Sequence, residues 1–164
     1  MLKKLLAGIS AAAVMTSGMA ISVGAESAQP ADTGSTVYEY DIVVYGGNAS
    51  GAIAAIQAAK MGKTVAVIEP TAYRIGGMTT GGLGDTDVGS GGVIGGLAKE
   101  FYQRIDKKYG RNVNYKFEAK IALMVLEEWL DEYKIPVFLG ERLNLSRGVV
   151  KDGTAITSIT MESV

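Results

Sequence analysis

Residues 41–69 read DIVVYGGNASGAIAAIQAAKMGKTVAVIE, and this stretch decides how the rest of the chain is interpreted. The run Ile42–Tyr45 is β-branched and aromatic without a polar break, which predicts a strand buried on both faces, as in a parallel sheet. Residues 50–61 are mostly Ala and Ile and predict a helix, which Gly62 would end as its C-cap glycine. Residues 64–68 predict a second buried strand. The stretch is therefore interpreted as a strand–helix–strand unit.

The turn between the first strand and the helix has the composition of a phosphate-binding site. Gly46 and Gly47 allow a tight turn that side chains would block. A helix N-terminus leaves unpaired backbone N–H groups with partial positive charge, so a pyrophosphate can dock there. Glu69 ends the second strand, at roughly the 20-residue spacing from which a carboxylate accepts hydrogen bonds from a ribose. This layout predicts a Rossmann-like half that binds a dinucleotide.

One position departs from the usual glycine fingerprint. That fingerprint has glycine at its first, third and sixth places. Here the first place is Gly46 and the sixth is Gly51, but the third is Asn48. An alternative interpretation is an Ala-rich helix packed on a sheet with no ligand. The strand before, the helix after and the terminal acid favour the nucleotide site.

Composition excludes several classes of chemistry. The chain has 164 residues, enough for one domain with a core, and its net charge of −1 argues against a nucleic-acid partner. It has no cysteine and no histidine, which excludes thiol chemistry, disulfides, metal sites built on those residues and histidine general bases. No metal site is predicted. Many of the 22 glycines cluster at 46–96, which suggests a ligand cradle.

The N-terminal 25 residues have the pattern of a secretory signal peptide. Lys3 and Lys4 form a positive start, residues 5–15 are apolar, and small residues precede a predicted cut after Ala25. We therefore expect a secreted or cell-envelope protein that meets the membrane only transiently, through this peptide. An uncleaved anchor is the open alternative, because the apolar stretch is nearly long enough to span a bilayer.

The rest of the chain is expected to form a linker and one incomplete domain. Residues 26–38 are polar and turn-rich and predict a flexible linker. Residues 39–164 are interpreted as the N-terminal portion of a nucleotide-binding domain.

A glycine-rich segment at 70–84 follows Glu69 and has neither a helical nor a strand period. A segment of this kind needs a reason to be ordered, and a bound ligand is one. Glycine pairs let the backbone lie against a flat or phosphorylated ligand, Thr79 and Thr80 offer hydroxyls, and Arg74 can meet a phosphate. The alternative is a floppy surface loop.

Asp85 and Asp87 lie just past this segment. They can be interpreted as a general base and its partner, or as turn and capping residues, and we favour the second interpretation. From Glu118 to Tyr133, apolar residues including Trp129 recur on one helical face, which predicts a core helix. The chain then predicts a third strand at 135–139, a hairpin with an Asp-Gly turn at 149–154, and a return strand at 156–161.

Three motifs taken together resemble the FAD-dependent oxidoreductase family. They are YGGNASG at 45–51, VIEP at 67–70 and GGMTTGGL at 76–83. That family belongs to the wider glutathione-reductase-like flavoproteins and includes relatives of the heterodisulfide reductase flavin subunit. The resemblance runs from about Tyr40 to the C-terminus, and residues 93–102 look like the family's next helix. It implies FAD as the cofactor.

The resemblance also implies roles for matching positions. Gly46, Gly47 and Gly51 would face the FAD pyrophosphate, and Glu69 would hold the adenosine ribose. The stretch Gly76 to Thr79 would run beside the pyrophosphate, ribityl chain and flavin ring, and backbone near Leu143 would contact the adenine. The full set of expected cofactor-binding residues is Gly46, Gly47, Asn48, Ala49, Ser50, Gly51, Glu69, Pro70, Arg74, Gly76, Gly77, Met78, Thr79 and Leu143. No catalytic residue is assigned.

The predicted fold class is α/β: a Rossmann-like FAD/NAD(P)-binding βαβ unit with a glycine-rich loop and a β-hairpin, apparently truncated. Family members continue with more sheet, a substrate domain and a C-terminal segment. We therefore expect the FAD-binding portion of an exported oxidoreductase, with an unidentified small-molecule substrate and a missing C-terminal flavoprotein segment. The alternatives are a truncated non-catalytic nucleotide-binding remnant or an NAD(P)-binding dehydrogenase fragment. The glycine-rich segment after Glu69 argues for FAD, because a nicotinamide fold would not need it.

Overall fold

The computed structural model describes residues 3–7, 36–146 and 148–164. Its fold is α/β, as predicted. The elements in chain order are β1 (Lys3–Ala7), β2 (Thr36–Tyr40), β3 (Ile42–Tyr45), α1 (Ala49–Lys60), β4 (Val65–Glu69), a short 3₁₀ turn (Gly91–Val93), α2 (Gly96–Tyr109), α3 (Ala119–Glu132), β5 (Val137–Leu139), β6 (Glu141–Leu143), β7 (Val149–Asp152) and β8 (Ala155–Ser163).

The predicted βαβ unit forms a three-stranded parallel sheet in the order β3, β4, β5. Val43 lies opposite Ala66, and Val67 lies opposite Val137. All five residues of β4 are buried, as predicted. The same prediction for β3 is wrong, because β3 is only partly buried. In the described sheet β4 pairs on both sides, whereas β3 lies at an edge.

A second sheet of five strands runs in the order β2, β1, β8, β6, with β7 paired to β8. Strand β1 is parallel to β2 and antiparallel to β8. The predicted hairpin is confirmed, since β7 and β8 are antiparallel and Asp152 lies opposite Ala155 across the Gly153 turn.

Alternate residues of β4 enter two different cores, which sets the layers of the fold. Val65 and Val67 belong to a cluster built with the three helices. Ala66 and Ile68 pack with Met161 of β8 in a second cluster. The parallel sheet therefore lies between the helices and the mixed sheet, and its carboxyl ends meet the glycine turn.

Helix α3 supplies the predicted core face. Leu126, Trp129 and Leu130 are buried in the helical cluster. The Trp129 ring is covered by the guanidinium of Arg104 in α2, 4.3 Å from the ring centroid, a cation–π contact that closes the core at the surface.

Two N-terminal predictions meet the structure only in part. The end of the predicted linker at 26–38 is wrong, because Thr36–Tyr40 form β2. The Tyr38 ring packs at a tilt against Phe138, with ring centroids 4.9 Å apart. Alternating aromatic burial outweighs the polar composition that suggested a linker. Of the predicted signal peptide, Lys3–Ala7 form β1. Residues 8–25, and residues 26–35 of the linker, lie outside the described residues.

The uncleaved-anchor alternative also falls largely on residues 8–25. Within the described part of the chain, no helix has the length and apolar character needed to cross a membrane.

Candidate nucleotide-binding site

The turn between β3 and α1 requires glycine at two positions, Gly46 and Gly51. Gly46 has φ = +117°, a conformation that L side chains rarely adopt, and its N–H donates to the Ile68 carbonyl at 2.8 Å. A Cβ placed on Gly51 would overlap the Gly46 carbonyl oxygen and approach Val44 Cγ1 to 3.3 Å. Only glycine at this place lets α1 begin this close to β3.

Glu69 is held at the end of β4, beside the turn. Its Oε2 accepts a hydrogen bond from Gly47 N at 2.6 Å, and its Oε1 accepts one from Thr71 N at 2.8 Å. Burial raises the pKa of this carboxyl, but the bonds from Thr71 and Gly47 outweigh burial and hold the pKa below its ordinary value. The ionised carboxylate has about four acceptor positions, so the bonds from Gly47 N and Thr71 N do not fill them.

The N-terminus of α1 opens on the same turn. Asn48 is its N-cap, and Asn48 Oδ1 accepts hydrogen bonds from Gly51 N at 3.0 Å and from Ser50 Oγ at 2.7 Å. The first turn of α1 has no acidic residue to cancel the helix dipole. The N–H groups of Ala49 and Ser50 lie in this first turn and have no partner within the helix.

The glycine-rich segment lies directly against the turn. Gly76 N donates to the Gly47 carbonyl at 2.7 Å, and Gly76 forms an isolated parallel bridge with Asn48. Further bonds within the segment run from Gly81 N to the Gly77 carbonyl and from Leu83 N to the Met78 carbonyl. The segment is therefore an ordered set of turns rather than the alternative floppy loop.

Thr79 borders an apolar recess beside the start of α1. Its volume is about 280 Å³. The recess is lined by Ala49, Ser50, Ile53, Thr79, Ala98, Phe101, Tyr102 and Leu126. Met78, the neighbouring predicted ligand residue, is 76% exposed and points away from the cores.

Three predicted residues occupy other positions. Pro70 follows Glu69 at the bend that ends β4. Arg74 forms an ion pair with Asp131 of α3, so its guanidinium is already engaged by a carboxylate. Leu143 N donates to the Tyr45 hydroxyl at 3.3 Å, which links the expected adenine contact to the residue before the glycine turn.

Two residues that shape the site are not predicted by the sequence. The sequence predicts only a strand position for Tyr45, whereas this side chain is 52% exposed and its hydroxyl accepts a hydrogen bond from Leu143 N. An aromatic residue at the last position of a strand before a glycine turn was the available signal. Thr71 donates its backbone N–H to Glu69, and no sequence pattern indicates such a contact.

Of the two acids after the glycine-rich segment, Asp85 has a basic partner. Asp85 contacts Lys116 at 3.1 Å and is bridged to it through the backbone. These contacts place Asp85 in an ion pair and a β-bridge, and both interpretations of the two acids stay predictions.

A ligand with a ribose and a pyrophosphate fits the donor set at this turn. The carboxylate of Glu69 suits the ribose diol, while the α1 N-terminus and the glycine backbone suit the phosphates. Fold and site together define a nucleotide-binding α/β protein of the Rossmann class.

The chain belongs to the FAD dependent oxidoreductase family, whose family model matches residues 41–164. Comparison with curated proteins gives no match. Members of this family depend on FAD, so FAD is the cofactor that the turn, Glu69 and the first turn of α1 would hold. When bound, the flavin supplies the redox chemistry, and the protein supplies binding, orientation and electrostatics.

Proposed function

We propose that this chain is the FAD-binding portion of an exported FAD-dependent oxidoreductase acting on a small molecule. The observation that carries the proposal is the Glu69 carboxylate, held 2.6 Å from Gly47 N at the carboxyl end of a parallel sheet. There it lies beside the N-terminus of α1, so one ligand can reach both. An ADP moiety can place its ribose against the carboxylate and its pyrophosphate against the helix N-terminus at the same time.

The glycine-rich segment supports FAD over a nicotinamide cofactor. Through Gly76 it is bonded to Gly47 of the turn, and through Thr79 it reaches the apolar recess. A long ligand that continues past its pyrophosphate can lie along the backbone of this segment. The negative charge of Glu69 also disfavours a ribose 2′-phosphate, as in NADP, by like-charge repulsion.

Export is supported by the sequence pattern at residues 1–25, with its basic start, apolar centre and small residues before Glu26. Expression with a C-terminal tag, fractionation and N-terminal sequencing test this part of the proposal. A mature chain that begins at Glu26 in the exported fraction is the expected result. A cytoplasmic chain that retains Met1 would contradict it.

Cofactor binding is tested on the full chain by titration with FAD, ADP and NAD. We expect FAD to bind and to raise the melting temperature. At a hundredfold excess of FAD over Kd, binding adds about 2.7 kcal/mol to the free energy of unfolding. Glu69→Gln should weaken the binding of FAD, ADP and adenosine alike, because it replaces one carboxylate oxygen by an amide nitrogen and removes the negative charge that favours the ribose diol. Glu39→Gln, at an exposed position of β2, is the matched control. Failure of saturating FAD to shift the melt, or tighter binding of NAD, would sink the proposal.

A further inference from the structure

We propose that Asn48 binds the cofactor's pyrophosphate through its side-chain amide, and that Ser50 holds the amide in the required orientation. The inference rests on the proposed FAD site. It gives a role to Asn48, the position at which the turn departs from the usual glycine fingerprint, and assigns Ser50 to the support of that role.

The orientation of the Asn48 amide follows from its partners. A backbone N–H can only donate, so the side-chain atom 3.0 Å from Gly51 N must be the oxygen. The Ser50 hydroxyl donates to the same oxygen at 2.7 Å. With two donors on Oδ1, the nitrogen occupies the other terminal position in the amide plane.

That nitrogen lies over the glycine turn. A Cβ built on Gly46 would be 3.9 Å from Asn48 Nδ2, so the amide group covers the face on which Gly46 carries no side chain. Asn48 is exposed, and no hydrogen bond from Nδ2 to any residue in the described ranges is present. Two N–H donors are therefore available beside the N-terminal N–H groups of α1.

Capping alone does not require an amide. The cap uses only Oδ1, and serine or aspartate supplies an equivalent oxygen at an N-cap. Asparagine adds a neutral donor pair without adding negative charge. Glycine at this place would let a phosphate approach the backbone closely, whereas Asn48 offers a charge-assisted hydrogen bond from its side chain.

The test compares ligands that do and do not carry phosphate. Asn48→Ser keeps a neutral capping oxygen and removes Nδ2, and Asn48→Asp replaces Nδ2 by an anionic oxygen. By calorimetry on the full chain, we expect ADP and FAD to bind about tenfold more weakly to Asn48→Ser. The loss should be larger for Asn48→Asp. Adenosine, which lacks phosphate, should bind both variants as it binds the wild type.

Stability is measured in parallel, since a purely structural role would appear there. Both variants should melt without ligand at the wild-type temperature, because each keeps the cap. Asn112→Ser is the matched control: Asn112 Oδ1 accepts from Asn114 N at 2.7 Å in a loop remote in sequence from the turn, and this change should leave ADP binding unaltered.

The outcomes separate the two proposals. Wild-type chain that binds neither FAD nor ADP overturns both. Wild type that binds ADP, with Asn48→Ser binding equally well, overturns the role of Asn48 and leaves the FAD site standing. Equal losses of adenosine and ADP affinity, or a lowered melt without ligand, also overturn it, because they show damage to the turn.

Discussion

At the scale of single residues, Glu69 links ligand binding to folding. Its pKa is held below the ordinary value of 4.5 in the folded chain. A carboxyl whose folded pKa is depressed adds stability above its unfolded pKa and loses that contribution as the pH falls through the folded pKa. The stabilisation from Glu69 should therefore be complete at neutral pH and vanish in acid.

We predict that Glu69→Gln lowers the free energy of unfolding by about 1–3 kcal/mol at pH 7. Glutamine has one acceptor oxygen, so either Gly47 N or Thr71 N loses its partner. Urea unfolding between pH 7 and pH 3 should show the difference from wild type shrinking below pH 4.5. A difference that stays constant over that range would mean that the ionised carboxylate is not what holds the turn.

The sequence predicted the residues whose chemistry is local and missed those whose partners are distant. Gly51 and Glu69 follow from the spacing of a strand–helix–strand unit. The partner of Arg74 is Asp131, 57 positions away, and the contact between Tyr45 and Leu143 spans 98 positions. No pattern within one segment identifies such pairs. The sequence therefore predicts a phosphate contact for Arg74 and gives no sign of its ion pair with Asp131.

At the scale of elements, the close start of α1 on β3 depends on Gly51. We predict that Gly51→Ala destabilises the fold by at least about 1–3 kcal/mol, because the new methyl group overlaps the Gly46 carbonyl and displaces α1. FAD affinity should fall as well, since the N–H groups of the first turn move. Chemical denaturation and FAD titration measure the two effects.

Gly89→Ala is the control for that change. A Cβ on Gly89 meets no atom within 4 Å, and the residue lies exposed in the same glycine-rich part of the chain. The control should cost little. Equal stability of Gly51→Ala and Gly89→Ala would show that α1 can begin farther from β3 without penalty.

Element type was more predictable than element environment. The helical period of α3 and the apolar run of β4 identify both elements, and both are buried as expected. The exposure of β3 depends on its edge position, and that position is set by the pairing order rather than by its own residues. Strand β2 was not predicted, because the exposed residues Val37 and Glu39 interrupt the run of inward-facing aromatic residues.

At the scale of the whole molecule, β1 combines two roles that conflict: part of a predicted signal peptide and a strand of the mixed sheet. Lys3–Ala7 belong to the pattern of a cleavable signal peptide, yet they lie between β2 and β8 in the mixed sheet. In the backbone register Leu5 is paired with Tyr38 of β2 and with Ile159 of β8. A mature chain beginning at Glu26 would leave the facing edges of β2 and β8 without this strand, whereas the ladders joining β3, β4 and β5 do not involve it.

We therefore predict that Leu5→Pro in the full chain speeds amide exchange in Thr36–Tyr40 and Ala155–Ser163 and leaves β4 protected. Proline removes a ladder N–H from a strand that is paired on both sides. Leu5→Ala keeps that N–H and serves as the control. Hydrogen exchange read by mass spectrometry should show protection of β2 and β8 falling only in the proline variant, and FAD should still bind, because the site lies on the parallel sheet. Equal exchange in the two variants would show that β1 does not hold the mixed sheet together. If the proline variant also lost FAD binding, the two sheets would fold as one cooperative unit.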